Sequence, residues 1–177
     1  QSYTFNNGVT VSNRLAVAPM THLASDDNGH ITAEERQFLT DRFRGIGLFI
    51  SAATLVHDGG KAFYGQPEAI GAEDLPSLRE VAQIAHDQGA KALLQIHHGG
   101  WQSIPELNPN GEIFAPSEHP ETGAKALTEA QILSIIDGYG RAAELALEAG
   151  FDGVEIHGAN NYLIQQFFSA QSNRRTD

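Results

Sequence analysis

The sequence contains no cysteine, one methionine and one tryptophan, and its 11 Lys and Arg residues face 22 Asp and Glu residues. Without cysteine there is no disulfide framework and no thiolate metal site. The net charge of −11 argues against a nucleic-acid or anionic-membrane surface. No apolar run approaches the roughly 20 residues that span a bilayer, and the first residues lack the features of a secretory signal. We therefore expect a cytoplasmic protein without nucleic-acid or membrane partners.

What is present fits a globular protein, with 41% hydrophobic and 19% charged residues in a chain of 177. The first recognisable unit runs from Tyr3 to Val11, where two short alternating segments flank Asn7-Gly8. Asn-Gly between such segments is a strong hairpin signal. The sequence therefore predicts an N-terminal hairpin, placed to plug the bottom of a barrel.

After the hairpin, short apolar runs alternate with helical patterns four times. The apolar runs are residues 15–19, 48–53, 91–96 and 153–156, and the helical segments are about 33–44, 75–88, 128–149 and 162–168. Thr32 with Glu35, and Thr128 with Gln131, have capping-box spacing. Runs of this kind without strict alternation are typical of parallel strands buried on both faces.

Two architectures produce such a pattern, a doubly wound sheet or a (β/α)8 barrel. No Gly-x-Gly-x-x-Gly follows the first strand, which disfavours a dinucleotide-binding sheet. A barrel takes about 250 residues, so four units amount to half of one. We predict an α/β fold in which residues 1–177 form the N-terminal half of a single TIM-barrel domain. The expected partners are the missing C-terminal half, a small-molecule substrate and, as one option, a second copy of the chain.

Polar residues follow every predicted strand at the end where ligands gather in both architectures. Gln95 interrupts an apolar strand, and its amide suits the edge of a heterocycle, although an internally satisfied glutamine is the alternative. His157 and Asn160 are suited to donate to one carbonyl or nitro oxygen, with Tyr162 as a nearby proton donor. The alternative for these three is a strand end capped by polar groups.

Histidines at all four predicted strand ends suggest a rival function, a metal-dependent hydrolase on the same barrel. The residues concerned are His22, His57, His97 and His157. Imidazole is the commonest metal ligand, but neither H-x-H nor H-E-x-x-H spacing occurs. His97 and His98 would also point in opposite directions on an extended strand. We therefore assign no metal ligand, and keep an inactive half-barrel as a third, non-catalytic possibility.

Four segments resemble the Old Yellow Enzyme family of NAD(P)H:flavin oxidoreductases, in that family's order. They are residues 13–21 (NRLAVAPMT), 51–54 (SAAT), 94–97 (LQIH) and 150–164 (GFDGVEIHGANNYLI), the last continuing to Asp177. The final segment is long and specific, whereas the others are modest alone. The resemblance extends over nearly the whole chain but only over the N-terminal half of the family's barrel.

This resemblance implies a flavin-binding domain that carries FMN and takes hydride from NADH or NADPH. The residues implied to contact the flavin are Ala18, Pro19, Met20, Thr21, Ala53, Gln95 and His157. His157 and Asn160 would hold the oxygen of an α,β-unsaturated carbonyl or nitro substrate, and Tyr162 would protonate its α-carbon. Many relatives have glycine where this chain has Asn161, and one branch has cysteine in place of Thr21.

The resemblance also implies a gap, because the family takes its phosphate site from the last strands of the barrel. TIM barrels frequently bind phosphate after strands seven and eight. No segment of this sequence supplies such a site. We therefore expect these residues alone to bind FMN weakly and not to turn over.

Overall fold

The computed structural model describes every residue from Gln1 to Asp177. It begins with an antiparallel hairpin of β1 (Tyr3–Thr4) and β2 (Thr10–Val11). Gly8 in the connecting turn has a φ of 87°, a left-handed conformation that glycine adopts without steric cost. The predicted Asn-Gly hairpin is thus confirmed. It lies at the amino-terminal ends of the following strands, where Phe5 shares a groove with Leu48.

The remaining strands form one parallel sheet and one small pair inside a long loop. In chain order they are β3 (Ala16–Val17), β4 (Leu48–Ile50), β5 (Thr54–Leu55), β6 (Lys91–His97), β7 (Phe114–Ala115), β8 (Lys125–Ala126) and β9 (Gly153–Ile156). In the large sheet, β3 pairs with β4, both β4 and β5 pair with β6, and β9 pairs with β6. β4 and β5 are therefore one interrupted strand.

The order of these strands in space follows their order in the chain, with no reversal of direction along the sheet. A doubly wound sheet requires such a reversal, whereas a barrel adds each strand beside the one before. The sheet is therefore an arc of a TIM barrel, as predicted, and the doubly wound alternative does not apply.

Four helices follow the strands, namely α1 (Ala33–Leu39), α2 (Leu75–Asp87), α3 (Glu129–Ala149) and α4 (Leu163–Phe168). The predicted capping box of α3 is present, because the Thr128 hydroxyl accepts from the Gln131 backbone N–H and the Gln131 side chain accepts from the Thr128 N–H. The helix stops at Gly150, which has a φ of 96°. These local signals placed α2 and α3 to within a residue or two.

Helix α1 differs from the prediction in two ways. It ends at Leu39 rather than near residue 44, because Asp41 takes a φ of 63° and the chain then buries Phe43 in the core. Its capping box is only half formed. Thr32 accepts from the Glu35 N–H, but the Glu35 carboxylate accepts from the Ser25 hydroxyl at 2.8 Å instead of returning to the cap.

The main core lies between the outer face of the sheet and helices α1 to α3. Leu94 and Ile96 of β6 are almost completely buried there, with Ala82 and Ala85 of α2 and the Ala142 face of α3. Phe43 stacks on Phe49 with ring centroids 4.3 Å apart.

The two edges of the arc are open. β3 pairs only with β4, and β9 pairs only with β6, so each of these two strands has one unpaired edge. Ile156 of β9 remains 59% exposed, and Leu133, Ile136 and Leu147 form an exposed apolar stripe on α3. These residues lack the neighbouring strand and helix that a closed barrel provides.

None of the helices in the structure combines the length and the apolar character needed to cross a lipid bilayer.

Candidate active site

A cleft of about 370 Å³ opens at the carboxyl-terminal ends of the parallel strands. It gathers residues that are far apart in the sequence, because parallel strands all end at the same rim. Its lining residues are Pro19, Thr21, Ala53, Phe63, Gln95, Glu155, Ile156, His157, Gly158, Ala159, Asn160 and Tyr162. Every strand of the arc contributes at least one of them.

Strand β6 positions Gln95 by simple alternation. Leu94 and Ile96 point outward into the helix-covered core, so Gln95 and His97 point to the inner side. Gln95 is directly opposite Glu155 on β9, and its Nε2 donates to Glu155 Oε1 at 2.7 Å. Because the amide nitrogen is held by Glu155, the free atom of the Gln95 amide is its oxygen, an acceptor.

The turn between β9 and α4 positions three predicted catalytic residues. Asn160 and Asn161 have φ values of 54° and 62°, and asparagine tolerates this left-handed region better than most residues. Asparagine at position 161 is therefore compatible with the backbone of this turn. The reversal places Tyr162 at the N-cap of α4 and brings its ring within 5.0 Å of the His157 ring, edge to face.

Several polar side chains of the cleft have no hydrogen-bond partner within the chain. These uncommitted groups are the Thr21 hydroxyl, the Gln95 amide oxygen, the His157 Nε2, the Asn160 amide and the Tyr162 hydroxyl. None of these atoms is sealed in the protein interior, so all of them are available to a ligand in the open cleft. Together they offer donors and acceptors from several sides of the cleft.

Partial burial shifts the pKa values of His157 and Tyr162 in the cleft. Burial lowers the pKa of His157, which favours the neutral imidazole at neutral pH. Its Nδ1 accepts from the Ala159 N–H at 3.4 Å, leaving Nε2 to carry the proton and act as a donor. Burial raises the pKa of the Tyr162 phenol, so Tyr162 keeps its proton. The cleft therefore holds two neutral proton donors side by side.

Two of the predicted flavin contacts lie outside this cleft. Ala18 and Met20 line a different groove, beside Phe38 of α1, and Met20 is 61% exposed. The segment after β3 is extended, so its side chains alternate between two sides and only Pro19 and Thr21 reach the cleft. The structure therefore groups Pro19, Thr21, Ala53, Gln95 and His157, and separates Ala18 and Met20 from them.

Five residues of the cleft were not predicted, and two of them, Glu155 and Phe63, have charged or aromatic side chains; the other three are Ile156, Gly158 and Ala159. Glu155 could have been found, because a carboxylate inside the apolar run Gly153–Ile156 is the same kind of interruption that identified Gln95. Phe63 carries no such signal. It lies in the loop after β5, and only the fold brings its ring to 6.0 Å from Tyr162 and 5.7 Å from His97.

The histidines proposed for a metal site do not converge. His22 lies 3.2 Å from Glu35 behind the cleft, and His57 bonds Ser134 of α3 at 2.9 Å. Only His97 and His157 are neighbours, with ring centroids 5.2 Å apart. The structure contains no group of three or more His, Asp or Glu side chains placed to hold a metal ion. The metal-hydrolase alternative is not supported.

Comparison with known proteins agrees with this geometry. Residues 3–177 match the model of the NADH:flavin oxidoreductase / NADH oxidase family. The chain is 47% identical over 180 residues to a probable NADH-dependent flavin oxidoreductase of Bacillus subtilis. That match covers 100% of this chain and 48% of the Bacillus subtilis protein. It is 36% identical over 189 residues to a probable flavin mononucleotide-dependent alkene reductase of Leishmania infantum, of which it covers 52%.

Two further comparisons bear on the length and the fold. An NADH:fumarate oxidoreductase of Klebsiella pneumoniae is 40% identical over 185 residues, which are only 20% of that protein. The Old Yellow Enzyme of Pichia sp. AKU4542 superposes with a TM-score of 0.88 at 25% identity, over 96% of this chain and 48% of that structure. The chain thus spans about half, or less, of the proteins that it matches. By its sequence and its fold, it belongs to the NADH:flavin oxidoreductase / NADH oxidase family.

Proposed function

We propose that this chain supplies the first half of a flavin-binding barrel, in an FMN-dependent oxidoreductase that reduces the C=C bond of α,β-unsaturated carbonyl or nitro compounds. NADH or NADPH would be the hydride donor. The observation that carries the proposal is the set of uncommitted polar groups around one cleft at the carboxyl ends of the strands. A heterocycle with polar edges and a substrate with a polar oxygen would together satisfy them.

The residues of the cleft fit the isoalloxazine ring of FMN. Ala53 has a small side chain in the wall of the cleft, which leaves room for a planar ring. The free oxygen of Gln95 can accept from a ring N–H, and the free hydroxyl of Thr21 can donate to a ring carbonyl. When bound, FMN supplies a carrier that takes hydride from the nicotinamide and passes it to the alkene carbon.

His157, Asn160 and Tyr162 would act on the alkene substrate. The His157 Nε2–H and the Asn160 amide can both donate to the substrate oxygen, and these bonds strengthen as charge develops on it. The protonated Tyr162 hydroxyl can then deliver its proton to the α-carbon. This division of roles matches the two neutral donors that burial maintains in the cleft.

A second half of the barrel would complete the site. The apolar stripe of α3 and the unpaired edges of β3 and β9 are surfaces that a further set of strands and helices would bury. The relatives named above are about twice as long as this chain or longer. The phosphate of FMN would be held by that second half, in line with other TIM barrels. A second copy of the chain on these edges is the alternative occupant.

The proposal is tested by following the two half-reactions of the intact, FMN-loaded protein separately in a stopped-flow spectrometer. Tyr162→Phe should reduce the rate of flavin reoxidation by an enone about 100-fold or more, the usual contribution of a general acid. Flavin reduction by NADH should change little, because no proton is delivered to carbon in that step. Tyr64→Phe, at a tyrosine that is 62% exposed, is the matched control.

An intact protein that binds no flavin would overturn the proposal, as would a Tyr162→Phe variant that reduces the enone at the normal rate. Stoichiometric metal in place of flavin, found by elemental analysis, would return the hydrolase alternative to consideration.

A further inference from the structure

Gln66 is a buried glutamine in the loop after β5, outside every motif considered so far. Its exposure is 0%, and all of its polar atoms are used. Its Oε1 accepts from the Ala62 N–H at 2.9 Å. Its Nε2 lies 3.1 Å from the Ala53 carbonyl and 3.0 Å from the Nδ1 of His97. One side chain therefore connects the loop, the cleft residue Ala53 and the end of β6.

These contacts determine the positions of the oxygen and the nitrogen in the Gln66 side-chain amide. The Ala62 N–H needs an acceptor and the Ala53 carbonyl needs a donor, so the oxygen and the nitrogen of the amide cannot be exchanged. The second N–H of Gln66 then donates to His97 Nδ1. A nitrogen that accepts a hydrogen bond carries no proton, so His97 is held as the neutral tautomer protonated on Nε2.

His97 is in direct contact with the proposed catalytic residues. Its exposure is 0%, and its ring stands edge to face against Tyr162 at 4.4 Å and against His157 at 5.2 Å. Its Nε2 is buried without any hydrogen-bond partner. The ring is thus held on one side by Gln66 and forms, on the other, part of the surface on which Tyr162 rests.

We propose that Gln66 is a positioning residue for the reduction of the alkene, acting through the orientation and the tautomer of His97 on the ring of Tyr162. This inference rests on the function proposed above. Gln66 does not itself line the cleft. Its amide also bonds the Ala53 carbonyl, so we expect proton delivery by Tyr162 to be affected more strongly than hydride transfer from the nicotinamide.

We expect this effect because, without the Gln66 amide, the His97 imidazole can adopt more than one orientation and tautomer. If Gln66 loses its donor, the imidazole can rotate by 180° about its side-chain bond or move its proton to Nδ1. Each change alters the edge that faces Tyr162 and shifts the phenol from its place. Proton transfer depends steeply on such placement, and an error of about 1 Å can cost about 100-fold in rate.

The test compares Gln66→Met with Gln37→Met in the intact, FMN-loaded protein. Methionine has nearly the shape of glutamine but offers no N–H, and Gln37 lies exposed on α1 without a side-chain hydrogen bond. For Gln66→Met we expect flavin reoxidation by an enone to slow about tenfold or more, with reduction by NADH unchanged within about twofold. For Gln37→Met we expect both half-reactions to be unchanged.

A second measurement reads the tautomer directly. Proton–nitrogen NMR correlation spectra of histidine-labelled protein distinguish the two neutral forms, with His97→Asn used to assign the signal. In the unmodified protein we expect His97 to be protonated on Nε2 only. In Gln66→Met we expect a mixture of the two forms.

Equal slowing of both half-reactions in Gln66→Met would overturn the proposal, since a purely structural role predicts a general loss. A His97 protonated on Nδ1 in the unmodified protein would also overturn it, even if Gln66→Met did not fold. If the unmodified protein reduces enones and the Gln66→Met variant does so at the same rate, this inference is wrong, whereas the proposed function stands. Absence of any flavin chemistry in the unmodified protein would instead be a failure of the proposed function.

Discussion

Strand β6 allows two regions of the molecule to be compared within seven residues, because its two faces meet different surroundings. On the outer face, Leu94 and Ile96 are 1% and 2% exposed and pack against the helices. On the inner face, Gln95 and His97 each keep one polar atom without a partner in the chain.

The difference shows which part of the molecule this chain completes by itself. The core of the outer layer is closed, since its apolar residues bury one another, and α1 and α3 begin with capping threonines. The inner layer is open, since several of its polar groups, such as the Gln95 amide oxygen and the Thr21 hydroxyl, have no partner in the chain. Substitutions on the outer face should therefore change stability, and substitutions in the cleft should change binding and rate.

The largest stability effect is expected for Leu94→Ala. Removing a side chain that is 1% exposed leaves a cavity in the main core, at a cost of about 2–5 kcal/mol in the free energy of unfolding. Urea unfolding followed by circular dichroism would measure this loss. A cost below about 1 kcal/mol would mean that the outer layer is not the closed core described above.

Leu133→Ala tests whether the free side of α3, where Leu133 is 56% exposed, is covered in the intact protein. If a second half-barrel covers this helix in the intact protein, the substitution should cost about 2 kcal/mol or more, as for a buried leucine. If the stripe stays in solvent, the cost should remain within about 0.5 kcal/mol. The second result, measured by the same urea unfolding, would contradict the proposed half-barrel.

Asp152→Asn should have the next largest effect on stability. Asp152 lies at the opposite end of the strands from the cleft. Asp152 accepts from the Ala92 N–H and pairs with Lys91 at 2.7 Å and His86 at 2.9 Å. Burial opposes the charge, but the bonds from Lys91, Ala92 and His86 outweigh it and lower the pKa of the carboxyl. Losing a hydrogen-bonded charge should cost about 1.5–3 kcal/mol at pH 7.

The same carboxyl gives a pH dependence of defined sign. Because folding lowers its pKa, the stabilisation is fully present above the unfolded pKa near 3.8 and disappears as the pH falls through the folded pKa. The melting temperatures of the unmodified protein and Asp152→Asn should therefore differ at neutral pH and converge in acid. A constant difference across that range would show that the pairing is not responsible.

Thr21→Val should have the smallest effect of these substitutions, and it should change FMN binding in the cleft rather than stability. The substitution removes a hydroxyl without a partner in the chain, so the stability of the flavin-free protein should change by less than about 0.5 kcal/mol. FMN affinity should fall by about fivefold, the loss of roughly one hydrogen bond. Fluorescence titration with FMN measures the affinity, and Thr10→Val, on the exposed hairpin, is the control.

The sequence predicted those parts of the fold that depend on short-range signals. Asn7-Gly8 predicted the hairpin, and the Thr128 box with Gly150 predicted the limits of α3. The end of α1 was not predictable in this way, because it depends on the packing of Phe43 against Phe49, a residue of the following strand. Local sequence patterns therefore predict where a helix begins more reliably than where it ends, when tertiary packing decides the end.

The candidate site was predictable wherever a polar residue interrupts an apolar strand or follows it. Gln95 and Tyr162 were found by that signal, and both line the cleft. Met20 was assigned from a continuous motif, but an extended segment turns alternate residues away. Gln66 gave no signal, because its role depends on a loop conformation that places its amide between Ala53 and His97.

The most direct test of the central claim is the visible absorption spectrum of the intact protein, recorded after incubation with FMN and desalting. The claim is that the polar groups of the cleft are completed by a flavin. It predicts a retained flavin band of about one FMN per chain, which weakens in the Gln95→Leu variant as the ring loses an acceptor. A colourless unmodified protein, with or without added FMN, would contradict it.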